Sequence, residues 1–210
     1  MDGSQNSLSG NSNNEWVTEG LIASIERHLV EHLKPSRVDH IRRVTEMAIL
    51  LANRYGVDYK LAKLASLLHD IAKYYSKNMV RETLKKYNIN DPLLYEYTFL
   101  AHGEIGAIIG QEVFGITHMD VLNAVRYHTY GRKGMSLLEK IVFMADYIEE
   151  GRDFDGVHIA REKAHSNLDE ALLFSVGHSI QYLLKTEAIV HPNSLDVYNE
   201  CLLAKKRLSL

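Results

Sequence analysis

This sequence of 210 residues has little cysteine, no long apolar run and no excess of positive charge. Cys201 is the only cysteine, so no disulfide can form within the chain, and a reducing cytoplasm is the expected compartment. Charged residues or histidines interrupt every apolar run before it reaches the ~18 residues of a membrane span, which argues against a membrane partner. The formal net charge of -3 argues against the broad basic surface that nucleic-acid binding requires.

The first 15 residues differ in composition from the rest of the chain. They are rich in Ser, Asn and Gly and have neither the apolar core nor the basic flank of a signal peptide. We therefore expect residues 1–15 to be a disordered leader or a cloning remnant. The other residues, 16–210, suit one domain, because a single core commonly serves ~100–200 residues.

The apolar residues repeat with helical spacing. Between Ser36 and Tyr55 they share one face, and Gly56 is a typical helix stop. Asp58 is expected to cap the next helix, which is apolar almost all round as far as Ala72. Other capping residues expected to start helices are Asp91 before Pro92, Thr117, Ser136, Asn167 and Ser194. No segment shows the period-two alternation of a strand, so the sequence predicts an all-α fold, a single-domain helical bundle.

His69 and Asp70 are adjacent polar residues within this very apolar segment. A lone histidine is most often a hydrogen-bonded core residue, but burying an isolated carboxylate is prohibitive unless it is paired or binds a metal. His40 and Asp146 each lie beside an apolar helix face, and both could turn inward to join the pair. A mixed imidazole and carboxylate set suits iron, manganese, zinc or cobalt better than a metal that prefers thiolates.

The order of these residues resembles that of the HD-domain phosphohydrolases, which are named for the adjacent His-Asp. The full ordered set is His40, His69-Asp70, His102, His128 and Asp146. The words LLHDIAK at 67–73, AHGEIGA at 101–107 and ADYIEEGR at 145–152 are similar to those of the bacterial YqeK family, the symmetrical bis(5'-nucleosyl)-tetraphosphatases. The resemblance begins near Leu21 and implies an HD-domain type of helical bundle.

The resemblance also implies roles for individual residues. It implies one or two iron ions, with other divalent transition metals as alternatives, held by His40, His69, Asp70 and Asp146. It implies a catalytic set of Asp70, Lys73, His102 and His128. It implies substrate contacts from Arg37, His40, Lys73, His102, His128, Thr129, Arg152, His191, Asn193 and Ser194. The tail word HPNSLDVYN at 191–199 departs from the family at Ser194, where threonine is usual, and at Tyr198, where arginine is usual.

The activity implied is the hydrolysis of diadenosine tetraphosphate to two ADP by metal-activated water, since a metal lowers the pKa of bound water towards ~7. The expected partner is this nucleotide, and a homodimer is left open. One alternative is an HD phosphohydrolase acting on a nucleoside monophosphate, a guanosine alarmone or a cyclic dinucleotide. An alternative of another class is a non-catalytic helical module that binds a nucleotide or a protein.

Overall fold

The computed structural model describes residues 14–208. Within that range the chain forms helices and no strand, which confirms the all-α prediction. The greater part of the proposed leader, residues 1–13, lies outside the described residues. The helices are α1 (Glu19–His32), α2 (Pro35–Tyr55), α3 (Tyr59–Leu68), α4 (Lys77–Lys86), α5 (Pro92–Glu96), α6 (His102–Glu112), α7 (Met119–Tyr127), α8 (Leu137–Ile148), α9 (Val157–Ser166), α10 (Leu168–Lys185) and α11 (Pro192–Leu208), with a 3₁₀ turn at Thr98–Leu100 before α6.

Helix α3 lies at the centre of the bundle and packs against α1, α2, α6, α7 and α8. Asp58 caps it as predicted, because its side chain accepts a hydrogen bond from the backbone N–H of Lys60 at 2.8 Å. The predicted extension to Ala72 is wrong, since the helix ends at Leu68. His69 and Asp70 follow in tight turns, so they project from the inner end of a central helix and not from its side.

The starts of three helices differ from the prediction. Helix α2 begins at Pro35 after Lys34, and Ser36 caps nothing. Helix α7 has His118 at its N-cap in place of Thr117. Helix α11 begins at Pro192, which places Ser194 in its first turn.

Two helices bring ligand candidates from distant parts of the sequence towards the end of α3. Helix α2 packs along α3 and α8 and carries His40. Helix α8 starts with a capping box between Ser136 and Glu139, and it carries Asp146 near its C-terminal end. The three helices α2, α3 and α8 therefore meet around one buried polar region.

A close approach between α6 and the end of α7 completes this region. A Cβ added to Gly103 would lie 2.6 Å from the backbone oxygen of Arg126, so only glycine permits this separation. The contact brings His102, at the start of α6, next to His128, which caps the C-terminal end of α7.

No helix among residues 14–208 combines the length and the hydropathy needed to cross a membrane.

Candidate active site

Three histidines of the buried polar region have the same local geometry. Each lies at the boundary of a helical segment, and its Nδ1 is within hydrogen-bond distance of the carbonyl oxygen three residues earlier in the chain. Because a carbonyl only accepts, Nδ1 carries the hydrogen and Nε2 keeps its lone pair. The pairs are His69 with Ser66 at 2.6 Å, His102 with Phe99 at 2.8 Å and His128 with Val125 at 2.8 Å.

Asp70 is at the centre of the cluster and is 2% exposed. Its Oδ2 accepts a hydrogen bond from Arg37 Nη1 at 2.8 Å. Its Oδ1 lies 3.1 Å from both Lys73 Nζ and His102 Nε2. His128 Nε2 is 3.8 Å from the same oxygen. Two cationic side chains and two imidazoles therefore surround one carboxylate.

Asp146 provides the second carboxylate. Its Oδ1 lies 3.2 Å from His40 Nε2 and accepts a hydrogen bond from Arg152 Nη2 at 2.6 Å. His40 Nε2 is also 3.7 Å from Asp70 Oδ2, so the two carboxylates lie on the same side of this ring. The structure thus gathers His40, Asp70 and Asp146 as the sequence predicts, with Arg152 beside them.

The surroundings favour neutral imidazole and ionised carboxylate. Burial lowers the pKa of His69 to about 4. Burial alone would raise the pKa of Asp70, but His69, His102, His128 and Lys73 outweigh it and hold the pKa well below its usual value. The pKa of Asp146 is likewise lowered, because His40, His69 and Arg152 outweigh burial. These protonation states are the ones that metal ligands require.

The donor set fits a divalent metal ion. In the described range 14–208, two groups of three residues each have ligand atoms within 4.8 Å of one another, and the two groups share His69. The first is His40, His69 and Asp146, and the second is His69, Asp70 and His128. Among the described residues, the ring nitrogens His40 Nε2 and His69 Nε2 are buried without a hydrogen-bond partner. Such orphaned acceptors are costly unless a cation satisfies them.

A cavity of about 590 Å³ adjoins this centre. Thr129 and Arg152 form part of its wall and also contact the cluster: Thr129 Oγ1 is 3.2 Å from His128 Nε2 and 3.3 Å from His102 Nε2. Another part of the wall is aromatic, and its residues include Tyr147, Phe154 and His178. Tyr147 Oη and His178 Nδ1 are hydrogen-bonded at 2.7 Å. The cavity therefore has a polar end at the cluster and an apolar interior.

The tail residues contribute unequally to this cavity. His191 stacks on Tyr130 with ring centroids 3.9 Å apart, and both line the cavity. Ser194 also lines it and donates a hydrogen bond to the carbonyl of Tyr130 at 3.1 Å. Asn193 donates to the carbonyl of Gly131 at 3.2 Å and is not part of the cavity wall. Its contact fixes α11 against the loop after α7.

Sequence reasoning missed Glu149 and the aromatic wall. Glu149 is buried, and its Oε1 is 3.2 Å from His40 Nδ1. Burial would raise its pKa, but hydrogen bonds from Arg43 and the backbone of Gly151 lower it. The only available signal was a charged residue directly after an apolar helix face, within the word at 145–152. The aromatic wall joins α8, the loop before α9, and α10, and no local pattern connects these segments.

Fold and site together define a helical hydrolase with a buried metal centre of the HD-domain class. The HD domain family model matches residues 37–151. Proteins named "Bis(5'-nucleosyl)-tetraphosphatase, symmetrical" are 41% identical in Halalkalibacterium halodurans, covering 87% of this chain and 95% of the relative, and 37% identical in Bacillus subtilis, covering 86% and 95%. The crystal structure of an HD superfamily hydrolase from Clostridium acetobutylicum is 35% identical, with a TM-score of 0.84, covering 87% of this chain and 97% of that one.

The chain therefore belongs to the HD-domain family and, within it, to the family of symmetrical bis(5'-nucleosyl)-tetraphosphatases.

Proposed function

We propose that this protein hydrolyses diadenosine tetraphosphate symmetrically to two molecules of ADP. The observation that carries the proposal is the junction of two features: a cluster of imidazoles and carboxylates with unsatisfied acceptors, and a cavity that opens from it. The cluster suits phosphate chemistry, and the cavity suits a nucleoside, because ligand sites are mostly apolar with a few convergent polar groups. The family relationship supplies the identity of the substrate.

The metal would be held by His40, His69, Asp70 and Asp146, and we propose iron, as one or two ions. When bound, a divalent transition metal supplies Lewis-acid activation of water and neutralises charge on a phosphoryl oxygen. Neutral imidazoles and ionised carboxylates suit such an ion, although the donor set alone also accepts manganese, zinc or cobalt.

The cations around the cluster would bind the phosphate chain. Arg37 contacts Oδ2 of Asp70, and Lys73 contacts Oδ1 of the same carboxylate. Arg152 is hydrogen-bonded to Asp146. Attack on phosphorus spreads negative charge over the phosphoryl oxygens, so these three side chains would stabilise the transition state. Arg152 also lines the cavity, where it would place the phosphate next to the bound nucleoside.

His102 and His128 would handle the proton of the leaving group. Their Nε2 atoms are 3.0 Å apart, and both Nδ1 hydrogens are committed to carbonyls. Lys73 Nζ lies 3.1 Å from His102 Nε2, and a proton shared with His128 or a second metal ion would satisfy the remaining lone pair. Thr129 Oγ1 contacts both nitrogens and would complete the contact with a phosphoryl oxygen.

The tail and the aromatic wall would enclose one nucleoside. His191 and Ser194 would contact the substrate. Asn193 would act indirectly, through its hydrogen bond to the carbonyl of Gly131. We also propose that residues 16–210 work as one HD-domain unit in the cytoplasm. In a dimer, each chain would hold a complete site, because all the residues named above come from one chain.

The test is hydrolysis of diadenosine tetraphosphate by metal-loaded protein, with separation of the products. ADP as the sole product is the expected result. The Asp70→Ala variant is the control and should retain its helical circular dichroism while losing turnover. ATP with AMP would contradict symmetrical cleavage. A panel of a nucleoside monophosphate, a guanosine alarmone and a cyclic dinucleotide completes the test, and preferential cleavage of one of these would overturn the substrate assignment.

A further inference from the structure

Glu149 faces the outer nitrogen of His40. It follows the last residue of α8, and its side chain is 2% exposed. Its Oε1 lies 3.2 Å from His40 Nδ1. On the opposite edge of the ring, His40 Nε2 lies 3.2 Å from Asp146 Oδ1 and has no hydrogen-bond partner. The imidazole therefore bridges a buried carboxylate and the proposed metal site.

The position of this carboxylate is fixed by other groups. Arg43 Nε donates to its Oε2 at 2.5 Å, and the backbone N–H of Gly151 donates to the same oxygen at 2.6 Å. Behind it, Arg161 donates to the carbonyl of Glu149 at 2.8 Å and to that of Ile148 at 3.0 Å. Both the side chain and the backbone of Glu149 are thus held without any help from His40.

Gly151 makes the contact with Arg43 sterically available. A Cβ at this position would lie 2.7 Å from Arg43 Nε and Nη2. A larger residue would force the guanidinium away from Glu149. The turn at 149–151 therefore leaves room for Arg43 beside the Glu149 carboxylate, and this ion pair stabilises the ionised form of the buried acid.

We propose that Glu149 is a positioning residue for the metal centre. It accepts the hydrogen of His40 Nδ1 and so fixes the tautomer that presents the Nε2 lone pair to the metal. Its negative charge also makes the imidazole a stronger donor, which is the usual effect of a carboxylate behind a metal-binding histidine. Glu149 does not contact the substrate and acts through His40. The inference rests on the metal site of the proposed function and not on the identity of the nucleotide.

Cobalt(II) binding to the metal-free protein tests the proposal, because cobalt gives visible absorption bands that report its ligands. We expect Glu149→Gln, which keeps the size of the side chain but removes its charge, to weaken cobalt binding by ~10–100-fold. The affinity is measured by competition with a chelator. The melting temperature of the metal-free protein is recorded alongside, since a merely structural role would lower that temperature without a specific change in affinity or in the bands.

Arg43→Gln is the matched control. It removes the ion pair from the same carboxylate but leaves the contact between Glu149 and His40, so it should retain most of the wild-type affinity for cobalt. Equal affinity in Glu149→Gln and the wild type would overturn the proposal. Equal losses in the two variants would also overturn it, since the ion pair alone would then explain the effect.

A measurement on the unaltered protein covers the case in which the variants fail to fold. In the zinc-loaded wild type, long-range proton–nitrogen correlation spectra report which ring nitrogen of His40 carries hydrogen. We expect hydrogen on Nδ1 and zinc on Nε2, and the reverse arrangement would overturn the proposal. Neither experiment uses a nucleotide, so failure to hydrolyse diadenosine tetraphosphate would leave this inference intact and would count only against the proposed substrate.

Discussion

His102 Nε2 lies 3.0 Å from His128 Nε2, although the two residues belong to different helical segments. Both rings are buried and both are anchored by Nδ1 to a backbone carbonyl. The pair therefore presents two lone pairs at a fixed separation, next to Asp70 and to Thr129 in the cavity wall.

Replacing His102 with glutamine should remove one half of this pair. We expect kcat for diadenosine tetraphosphate to fall by ~10²–10⁴-fold, the usual contribution of a group that transfers a proton. The measurement is steady-state turnover at saturating metal. His158→Gln alters an exposed histidine and should keep wild-type turnover. A loss below threefold in His102→Gln would remove this residue from the catalytic set.

Lys73 places a positive charge 3.1 Å from Asp70 Oδ1 and 3.1 Å from His102 Nε2. Lys73→Met keeps most of the side-chain volume and removes the charge, so we expect kcat to fall by ~10²–10³-fold through lost stabilisation of the transition state. Lys77→Met, at the exposed first residue of α4, is the matched control. Similar kinetics for the two variants would show that Lys73 does not contact the reacting phosphate.

Phe154 contributes to the aromatic wall and packs against Tyr147 with centroids 5.0 Å apart. If the cavity binds the nucleoside, Phe154→Ala should raise KM roughly tenfold, equivalent to about 1.4 kcal/mol, while kcat changes little. Phe114→Ala truncates a partly buried phenylalanine beside His28, outside the cavity wall. The assignment would be wrong if KM were the same in both variants.

Gly103 should be sensitive to the smallest substitution. A methyl group there would press on the carbonyl of Arg126, so Gly103→Ala should lower the free energy of unfolding by about 1–3 kcal/mol. Thermal or urea denaturation measures the change. Gly20→Ala is the control, because a Cβ there meets only Thr18 Oγ1 at 3.8 Å, and it should be neutral or slightly stabilising. Equal stability of the two variants would show that α6 can move away from α7.

Local chemistry explains how much of the fold could be predicted. Asp58, Asp91, Ser136 and Asn167 each accept a hydrogen bond from the backbone N–H of the second or third residue of the helix, so the sequence nearby contains the whole signal. Pro35 and Pro192 start their helices earlier than the expected caps, since a proline lacking an N–H is favoured at the first helical position.

The candidate site could be predicted only in part. The ordered histidines and aspartates indicate a metal centre, and the structure brings them together. Glu149 and Arg43 could not be found in this way, because their contact joins positions 106 residues apart and depends on the packing of α2 against α8. The end of α3 at Leu68 was also missed, since Ile71 and Ala72 resume the apolar pattern after His69 and Asp70.

The anchoring of the imidazoles determines which substitutions can reorient them. His69, His102 and His128 are oriented by main-chain oxygens of Ser66, Phe99 and Val125, and every amino acid supplies that oxygen. The orientation of these three rings therefore does not depend on which side chains occupy the anchor positions. Of the four imidazoles, His40 alone is anchored by a side chain, so a substitution at position 149 acts directly on the orientation of this ring.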